Sequence, residues 1–330
     1  PPTTTGPPPS GPSFSNVGGT DNVANNSSAN VERFDNTGGS LRAGSLNIAA
    51  TGDLINQGGQ LESNGDASLS AGGALDNTRG TVSAAGSLTA NASGALDNSA
   101  GTVLANQGVT LGAQSLNNSE GSIQSPSAGT RLTVANQLQN AEGAIGAATD
   151  LSVQAGSLSS SGSLRGSNDT TIDAAGALVN DGSNTAGRNT TIAAGSLQSN
   201  SVLGAGLQAD GKFGSIGDLR VTSAGALVAT GTQLAAGDAV LQGASIDLSS
   251  SITSTTSAAN VALTATQGNV TTSGATVVTP GTLSVTANAQ PGQTLVNDAG
   301  ILNAGQLDLR ASNIANTHGG EIVQTRAGAA

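Results

Sequence analysis

The chain has 330 residues and a formal net charge of −11, from 21 acidic residues against 10 Lys and Arg. It contains no Cys, Met, Trp or Tyr and three Phe. The acidic balance argues against nucleic acid as a partner, which requires a basic patch, and the shortage of aromatic residues argues against one thick globular core, which draws on their bulk.

The remaining composition favours an ordered, exported segment. With 36% hydrophobic and 9% charged residues, the chain lacks the low hydrophobicity and dense charge of disordered sequences. No apolar run approaches the roughly 20 residues of a membrane helix, so no direct membrane span is predicted. The absence of Met predicts a segment of a longer protein, and the absence of Cys is compatible with secretion.

Residues 1–30 are predicted to form a linker or an irregular lead-in. The stretch from Pro1 to Pro9 holds most of the prolines and is typical of an extended polyproline conformation. Polar, Asn-rich sequence follows it.

Residues 31–196 carry a regular internal repeat. Six consecutive units open with an apolar residue, followed by Asn two positions later, Gly five later and a second apolar residue seven later, as in Leu75, Asn77, Gly80 and Val82. The openings lie 19 to 22 residues apart at Phe34, Leu54, Leu75, Leu96, Leu116, Leu138, Leu158, Leu178 and Leu197. Such a period indicates a solenoid.

A third apolar position per unit, as at Ile48 and Leu69, completes the pattern. Three short apolar segments separated by Gly, Asn and Ser predict an all-β fold, a right-handed parallel β-helix (β-solenoid) with rungs of about 20 residues. A leucine-rich repeat has a similar period, but its Leu-x-x-Leu-x-Leu strand is missing and the units are too rich in Gly, Ser and Thr for a helix. The Gly-Gly-x-Gly-x-Asp signature of a calcium-binding β-roll is also missing.

The recurrent Asn is predicted to be structural. Corners between strands often pass through positive φ, which Asn tolerates better than most residues. Stacked Asn side chains can also hydrogen-bond to one another in a ladder. The predicted ladder consists of Asn36, Asn56, Asn77, Asn98, Asn118 and Asn140.

Residues 197–226 are predicted to form an irregular repeat with a protruding loop, because the interval from Leu197 to Leu227 contains about ten extra residues. Loops on a repetitive scaffold often carry binding sites. We therefore expect any binding site in this segment to involve Asp210, Lys212, Phe213 and Asp218; the alternative is a tolerated surface excursion. Residues 227–330 are predicted to be less regular β-helix repeats.

The unit Leu-Asp-Asn-Ser-Ala-Gly-Thr-Val at 96–103, followed by Gly and a Leu-Thr-Leu-like strand, resembles the repeats of filamentous haemagglutinin and of contact-dependent growth inhibition exoproteins. The stretch 204–231 is similar to an irregular element of the same family. The resemblance covers about residues 31–326.

This resemblance implies a filamentous shaft segment of a large secreted adhesin or toxin-delivery exoprotein, displaying a distal binding or toxin element at the bacterial cell surface. It also implies an outer-membrane two-partner secretion transporter and a target-cell surface receptor, protein or glycan, as partners. No cofactor is expected.

The alternative is a carbohydrate-active β-helix enzyme of the lyase or tailspike kind. Asp76 and Asp97 occupy equivalent places in adjacent rungs, near the spacing of a retaining glycosidase pair. The chain has no Trp or Tyr to form a saccharide platform, so a structural role at the corners is expected instead. His318 has no second His or Cys for a metal site. Ice binding, suggested by the Thr pairs at 170–171 and 190–191, ranks lower because neighbouring rungs do not continue the pattern.

Overall fold

The computed structural model describes residues 11–256 and 258–326. The predicted polyproline stretch lies outside the described residues. The chain divides into two units, the first ending at Gly166 and the second beginning at Ser167. Across the described ranges, no helix is long and apolar enough to cross a lipid bilayer.

The strands of the first unit are short and closely spaced. They are β1 Gly11–Ser15, β2 Thr20–Val23, β3 Ser27–Asp35, β4 Ser40–Ala43, β5 Leu46–Ala50, β6 Leu54–Ile55, β7 Gln60–Ser63, β8 Ala67–Ala71, β9 Leu75–Asp76, β10 Thr81–Ala84, β11 Leu88–Ala92, β12 Ala95–Asp97, β13 Thr102–Ala105, β14 Val109–Ala113, β15 Ser115–Asn117, β16 Ser122–Ser125, β17 Thr130–Asn140, β18 Ala144–Ala147, β19 Leu151–Ser160 and β20 Ser163–Gly166.

The second unit continues in the same style. Its strands are β21 Thr170–Asn180, β22 Ser183–Ala186, β23 Thr190–Ser199, β24 Val202–Ala205, β25 Leu219–Ser223, β26 Leu227–Ala229, β27 Thr232–Ala235, β28 Ala239–Gly243, β29 Ile246–Asp247, β30 Ile252–Thr255, β31 Val261–Ala265, β32 Val270–Thr271, β33 Thr276–Ala287, β34 Thr294–Asp298, β35 Ile301–Ala311, β36 Asn313–Thr317 and β37 Glu321–Gln324.

Each unit is a parallel β-solenoid, which confirms the predicted fold class. Every strand pairs in parallel with its equivalent one turn away, as Leu54 pairs with Leu75 and Leu75 with Leu96. Hydrogen-bonded Asn side chains in successive turns are 19 to 22 residues apart. One repeat of the sequence is therefore one turn of the coil.

Each turn contributes to three parallel ladders. Sheet A contains the strands that precede the repeated Asn, such as β6, β9 and β12. Sheet B contains those that follow the corner, such as β7, β10 and β13, and sheet C the next ones, such as β8, β11 and β14. Longer strands such as β17 and β19 pass from sheet C into sheet A through a shift in register.

The core lies inside the coil and is built in columns. The apolar residue that opens each repeat faces inward from sheet A, and the second apolar residue, such as Leu61 or Val82, faces inward from sheet B. Both sets are buried almost completely. An isolated turn has nothing above or below to cover these side chains, so each turn is stabilised by its neighbours.

The coil begins earlier than the boundary predicted at residue 31. Strand β1 pairs with β3, and Phe14 stacks on Phe34 with ring centroids 4.9 Å apart. The Asn16 side chain donates to Oδ1 of Asn36 at 2.7 Å. Residues 11–30 thus form strands where the sequence predicts an irregular lead-in, because polar Asn and Ser residues conceal the repeat there.

In the first unit, buried asparagines stack into a continuous ladder. Nδ2 of Asn36 donates to Oδ1 of Asn56 at 2.8 Å and lies 3.2 Å from the Gly39 carbonyl oxygen. The bonds continue through the predicted residues and reach the Ser160 hydroxyl from Asn140 at 3.1 Å. Since the predicted asparagines are fully buried, these bonds replace those that the amides would make with water.

The interpretation that Asn supplies the positive φ of the corner is wrong. The left-handed residue stands two positions after the Asn, with φ of 60° at Gly38, 55° at Arg79 and 56° at Glu120. The Asn itself has no positive φ and follows the strand end. Its side chain is buried, and its carbonyl oxygen accepts a bond from the glycine three positions later, as from Gly39 at 2.9 Å. Asn is therefore selected for its amide group.

The glycine three positions after each Asn is required by close approach. A Cβ atom on Gly59 would meet the Asn36 carbonyl oxygen of the preceding turn well under 3.0 Å away, and its neighbour Gly58, with φ of 61°, faces open space. Gly80 and Gly101 have the same crowded surroundings as Gly59. The motif Asn-x-x-Gly thus combines a ladder donor with the space for the next turn.

We predict that Gly59→Ala lowers the free energy of unfolding by about 1–3 kcal/mol, because the added methyl pushes two turns apart. Gly58→Ala should cost only about 1 kcal/mol, since Arg and Glu already occupy equivalent left-handed positions. Thermal unfolding of both variants followed by circular dichroism checks this. Equal midpoints would refute the assignment of close approach to Gly59.

The second unit interrupts the ladder and admits polar residues to its core. Asn180 donates to the Ser199 hydroxyl at 3.0 Å, but Ala229 follows in the next turn. The ladder returns where Asn297 donates to Asn316 at 2.7 Å. In sheet B, Asn184 is fully buried beside Leu203, and neither polar atom of its side-chain amide has a hydrogen-bond partner.

We predict that Asn184→Leu raises the free energy of unfolding by about 1–3 kcal/mol, because it removes a buried unpaired amide and continues an apolar column. Asn140→Leu should lower stability, since it removes satisfied bonds of the ladder. Urea unfolding of both variants checks the opposite signs. Destabilisation by both would show that Asn184 is satisfied in solution.

Candidate functional site

The clearest departure from the repeat is an excursion at residues 206–218, between β24 and β25. In the following turn the same connection, from β27 to β28, needs only residues 236–238. The excursion leaves sheet B at Gly206, which has φ of 69°, and re-enters sheet C at Leu219. The excursion lies within residues 197–226, for which the sequence predicts an irregular repeat with a protruding loop.

The excursion folds as a small hairpin. Leu207 and Phe213 form an antiparallel bridge, and the Gln208 N–H donates to the Lys212 carbonyl oxygen at 2.8 Å. The Lys212 ammonium lies 3.0 Å from the Asp210 carboxylate. Hydrogen bonds from the Lys212 side chain and backbone N–H hold the pKa of Asp210 below its usual value. Asp210, Lys212 and Phe213 are thus brought together as one exposed tip.

Leu207 anchors the hairpin to the outer side of sheet B. Its side chain is 2% exposed, and a terminal methyl occupies the space where Gly204 would carry a Cβ. The Leu207 N–H donates to the Ala186 carbonyl oxygen at 2.9 Å in the preceding turn. The combination of Gly204 and Leu207, which sequence reasoning missed, therefore holds the excursion against the solenoid.

Apolar side chains of the excursion remain accessible to a partner. Phe213 is 40% exposed and Ile216 is 82% exposed. Exposed apolar patches mark interaction sites, and these two side chains stand three positions apart in the chain. Ile216 was not predicted, because a single Ile in a Gly-rich stretch gives no sequence signal.

The fourth predicted residue, Asp218, belongs to a different arrangement at the base of the excursion. Its carboxylate accepts a bond from the Asp238 N–H at 2.9 Å, and its own N–H donates to Asn189 Oδ1 at 3.0 Å. Asp238 in turn accepts from the Asn260 N–H at 2.8 Å. Asp218 therefore continues a series of corner caps that follows the turn spacing once the extra residues are removed.

The carboxylates weighed for catalysis are also placed at corners. Asp76 and Asp97 pair in register in sheet A. Oδ1 of Asp76 accepts the Thr78 N–H at 2.9 Å, and Oδ1 of Asp97 accepts the Ser99 N–H at 2.9 Å. His318 lies at an equivalent corner with φ of 49°, 2.5 Å from Asp298. Asp76 and Asp97 therefore stabilise turns of the backbone, and His318 contacts the Asp298 side chain.

Comparison with known proteins gives two matches. The family described as haemagglutinin repeat matches residues 10–100, 79–162 and 144–231. Toxin CdiA of Yersinia pestis is 48% identical over 66 residues, which cover 20% of this chain and 2% of that protein. The chain therefore spans a very small part of this curated relative. No solved structure matches.

We predict that Leu207→Ala releases the hairpin while leaving the solenoid folded, because it empties the space above Gly204. Lys212 is the single lysine of the chain, so a lysine-specific endoprotease cuts here alone and its rate reports hairpin opening. Cleavage should be several-fold faster in Leu207→Ala than in Ile216→Ala, a matched control that removes an exposed side chain. Equal rates would contradict anchoring by Leu207.

Proposed function

The chain belongs to the haemagglutinin-repeat family, and we propose that it is a shaft segment of a large secreted bacterial exoprotein, an adhesin or a contact-dependent inhibition protein. In this role it displays a distal binding or toxin element and contributes to cell adhesion through the excursion at residues 206–218. The 48% identity of 66 residues to a much longer toxin supports a place within a larger chain.

The observation that carries the shaft role is continuous backbone and side-chain pairing between turns. In the first unit, β4, β7, β10, β13, β16, β18 and β20 pair successively without a gap. Buried Asn bonds run parallel to this ladder from Asn16 to Ser160. Bending such a stack would stretch many hydrogen bonds at once, so the unit is suited to transmitting position and force.

The observation that supports adhesion is the exposure of Phe213 and Ile216 on an anchored hairpin. A loop held by Leu207 loses little conformational entropy on binding, which favours affinity. Aromatic side chains are also enriched at the centres of binding interfaces. The adjoining pair of Asp210 and Lys212 provides polar groups at the rim of the same surface.

The partners proposed for this function follow from the family. An outer-membrane two-partner secretion transporter would export the parent chain to the cell surface, where this segment would meet a receptor on a target cell. The receptor is proposed to be a protein, because exposed Phe213 and Ile216 provide apolar contacts and the described tip offers a single ion pair for polar recognition.

The test is saturable binding of the labelled chain to bacterial and host cells. The comparison variant replaces residues 206–217 with Ala-Gly, the sequence that precedes Asp238 in the next turn, and keeps Asp218 and its corner cap. We expect wild-type binding to saturate and the shortened variant to lose it, because the solenoid remains but the tip is gone. Circular dichroism confirms that the variant is folded.

A second variant, Phe213→Ser with Ile216→Ser, keeps the hairpin length and should lower affinity at least ten-fold. Protease treatment of the target cells should abolish binding, and glycosidase treatment should leave it intact. Binding that survives shortening of the loop would overturn the adhesive role of the excursion. Absence of binding to every cell type would leave the shaft role alone.

A further inference from the structure

The outer side of sheet B differs between the two units. In each strand of this sheet, alternate residues face inward and outward, and successive turns place equivalent residues side by side. In the first unit the outward residues are mostly polar, and Arg42 forms an ion pair with Glu62 at 3.4 Å. Leu104 is the large apolar residue among them.

In the second unit the outward residues of β27, β30, β33, β35 and β37 form an apolar face, and it begins after β24 because Leu207 covers Gly204 there. The large side chains alternate between two neighbouring columns from one turn to the next, with Thr, Ser and Asn between them. Ile252 is 52% exposed, Val278 36%, Ile301 37% and Val323 38%. Along the described strands, these two columns contain no charged residue before Glu321. The large members of the apolar face are Leu234, Ile252, Val278, Ile301 and Val323.

We propose that this apolar face pairs with the same face of a second copy of the chain. The first argument is that the two surfaces must have the same repeat distance along the stack. Ridges of side chains on the face repeat at the strand spacing of about 4.8 Å, so only a surface with that same period can interdigitate over five turns. A second copy has it by identity, and β-faces of equal period form such dry contacts.

The second argument is charge. The chain has a net charge of −11, so two copies repel each other over most of their surfaces. From β27 to β35 the two outward columns of the apolar face contain no charged residue, so like charges do not meet there. An acidic or basic partner would find no complementary group on these strands, whereas the same uncharged strands of a second copy require none.

The area sets the strength of the pairing. Five strands at about 4.8 Å and four residues at about 3.3 Å give a face of roughly 24 by 13 Å, or about 300 Å² per copy. Stable dimers bury about 800 Å² per partner. The pair is therefore weak and reversible in solution. It gains in strength where many copies are held side by side at high local concentration.

The experiment uses the absence of cysteine from the chain. Thr276→Cys places one thiol near the centre of the apolar face, between Ile252 and Ile301. Thr102→Cys places one at the equivalent column of sheet B in the first unit, between Thr81 and Ser122. Under mild oxidation at about 0.5 mM protein, Thr276→Cys should form the disulfide-linked dimer at least five-fold faster than Thr102→Cys.

The cross-linking of Thr276→Cys should be lost when Ile252→Lys and Ile301→Lys are added, and should accelerate with added NaCl, which screens repulsion between the acidic chains. The Lys variants must keep the wild-type unfolding midpoint, so that loss of pairing is not loss of fold. Equal rates at the two cysteines would overturn the proposal. If the Lys variant lost cell binding while Thr276→Cys gave no cross-linking, the apolar face would belong to a foreign partner. That outcome would also overturn the proposed pairing of two copies.

The proposed pairing does not rest on the adhesive role of the excursion. The variant with residues 206–217 replaced keeps the apolar face from β27 to β37 and should cross-link at the wild-type rate. If it did not, the excursion rather than the face would be responsible for contact between copies, and the proposal would fail while the proposed function stood.

Discussion

Parallel, in-register stacking of equivalent residues determines most of what this chain can do. Each residue has as its nearest neighbours its own equivalents about 4.8 Å above and below. A side chain must therefore be compatible with a copy of itself, and few types satisfy this when buried. Leu, Val and Ile pack into columns, and Asn bonds to Asn because its amide offers one donor and one acceptor side. Repetition of the sequence follows directly from this constraint.

The same constraint explains which residues stand at the corners. At the Asn-x-x-Gly corner, the Gly59 position is fixed because a Cβ would meet the carbonyl oxygen of the turn before it, whereas the Gly58 position is filled by Arg, Ala or Glu in later turns. Two adjacent glycines with similar appearance in the sequence thus have different physical roles. Contact between turns selects one, and the local backbone conformation merely favours the other.

The columns of buried residues could be predicted from the sequence because they repeat. Features without an equivalent one turn away could not be predicted. Phe34, Leu54 and the stacked asparagines were identified from spacing alone. Asn16 was missed because its unit has few large apolar residues. Asp218 was grouped with the tip of the excursion because extra residues hid its spacing to Asn189. The packing of Leu207 on Gly204 depends on a hairpin that no periodic pattern encodes. The apolar face can be identified only from the strand register, which places Ile252 and Ile301 in one column.

The departures from the repeat concentrate in the second unit, and a common reason connects them. Where the ladder continues, as from Asn36 to Asn140, each position is held by its equivalents, and a substitution disturbs two neighbours. Where Ala229 and Leu248 replace Asn, that coupling is lost, and the long connection at 206–218 and the apolar residues on the outside lie beside these turns. The buried amide of Asn184 lies two turns earlier, where Asn180 still donates to Ser199. In a unit with a continuous ladder, each position is constrained by its equivalents, which suits a scaffold. In a unit that lacks part of the ladder, some stability is lost but surface positions can vary independently of their equivalents. Such independent variation is needed for a binding site to arise on a solenoid.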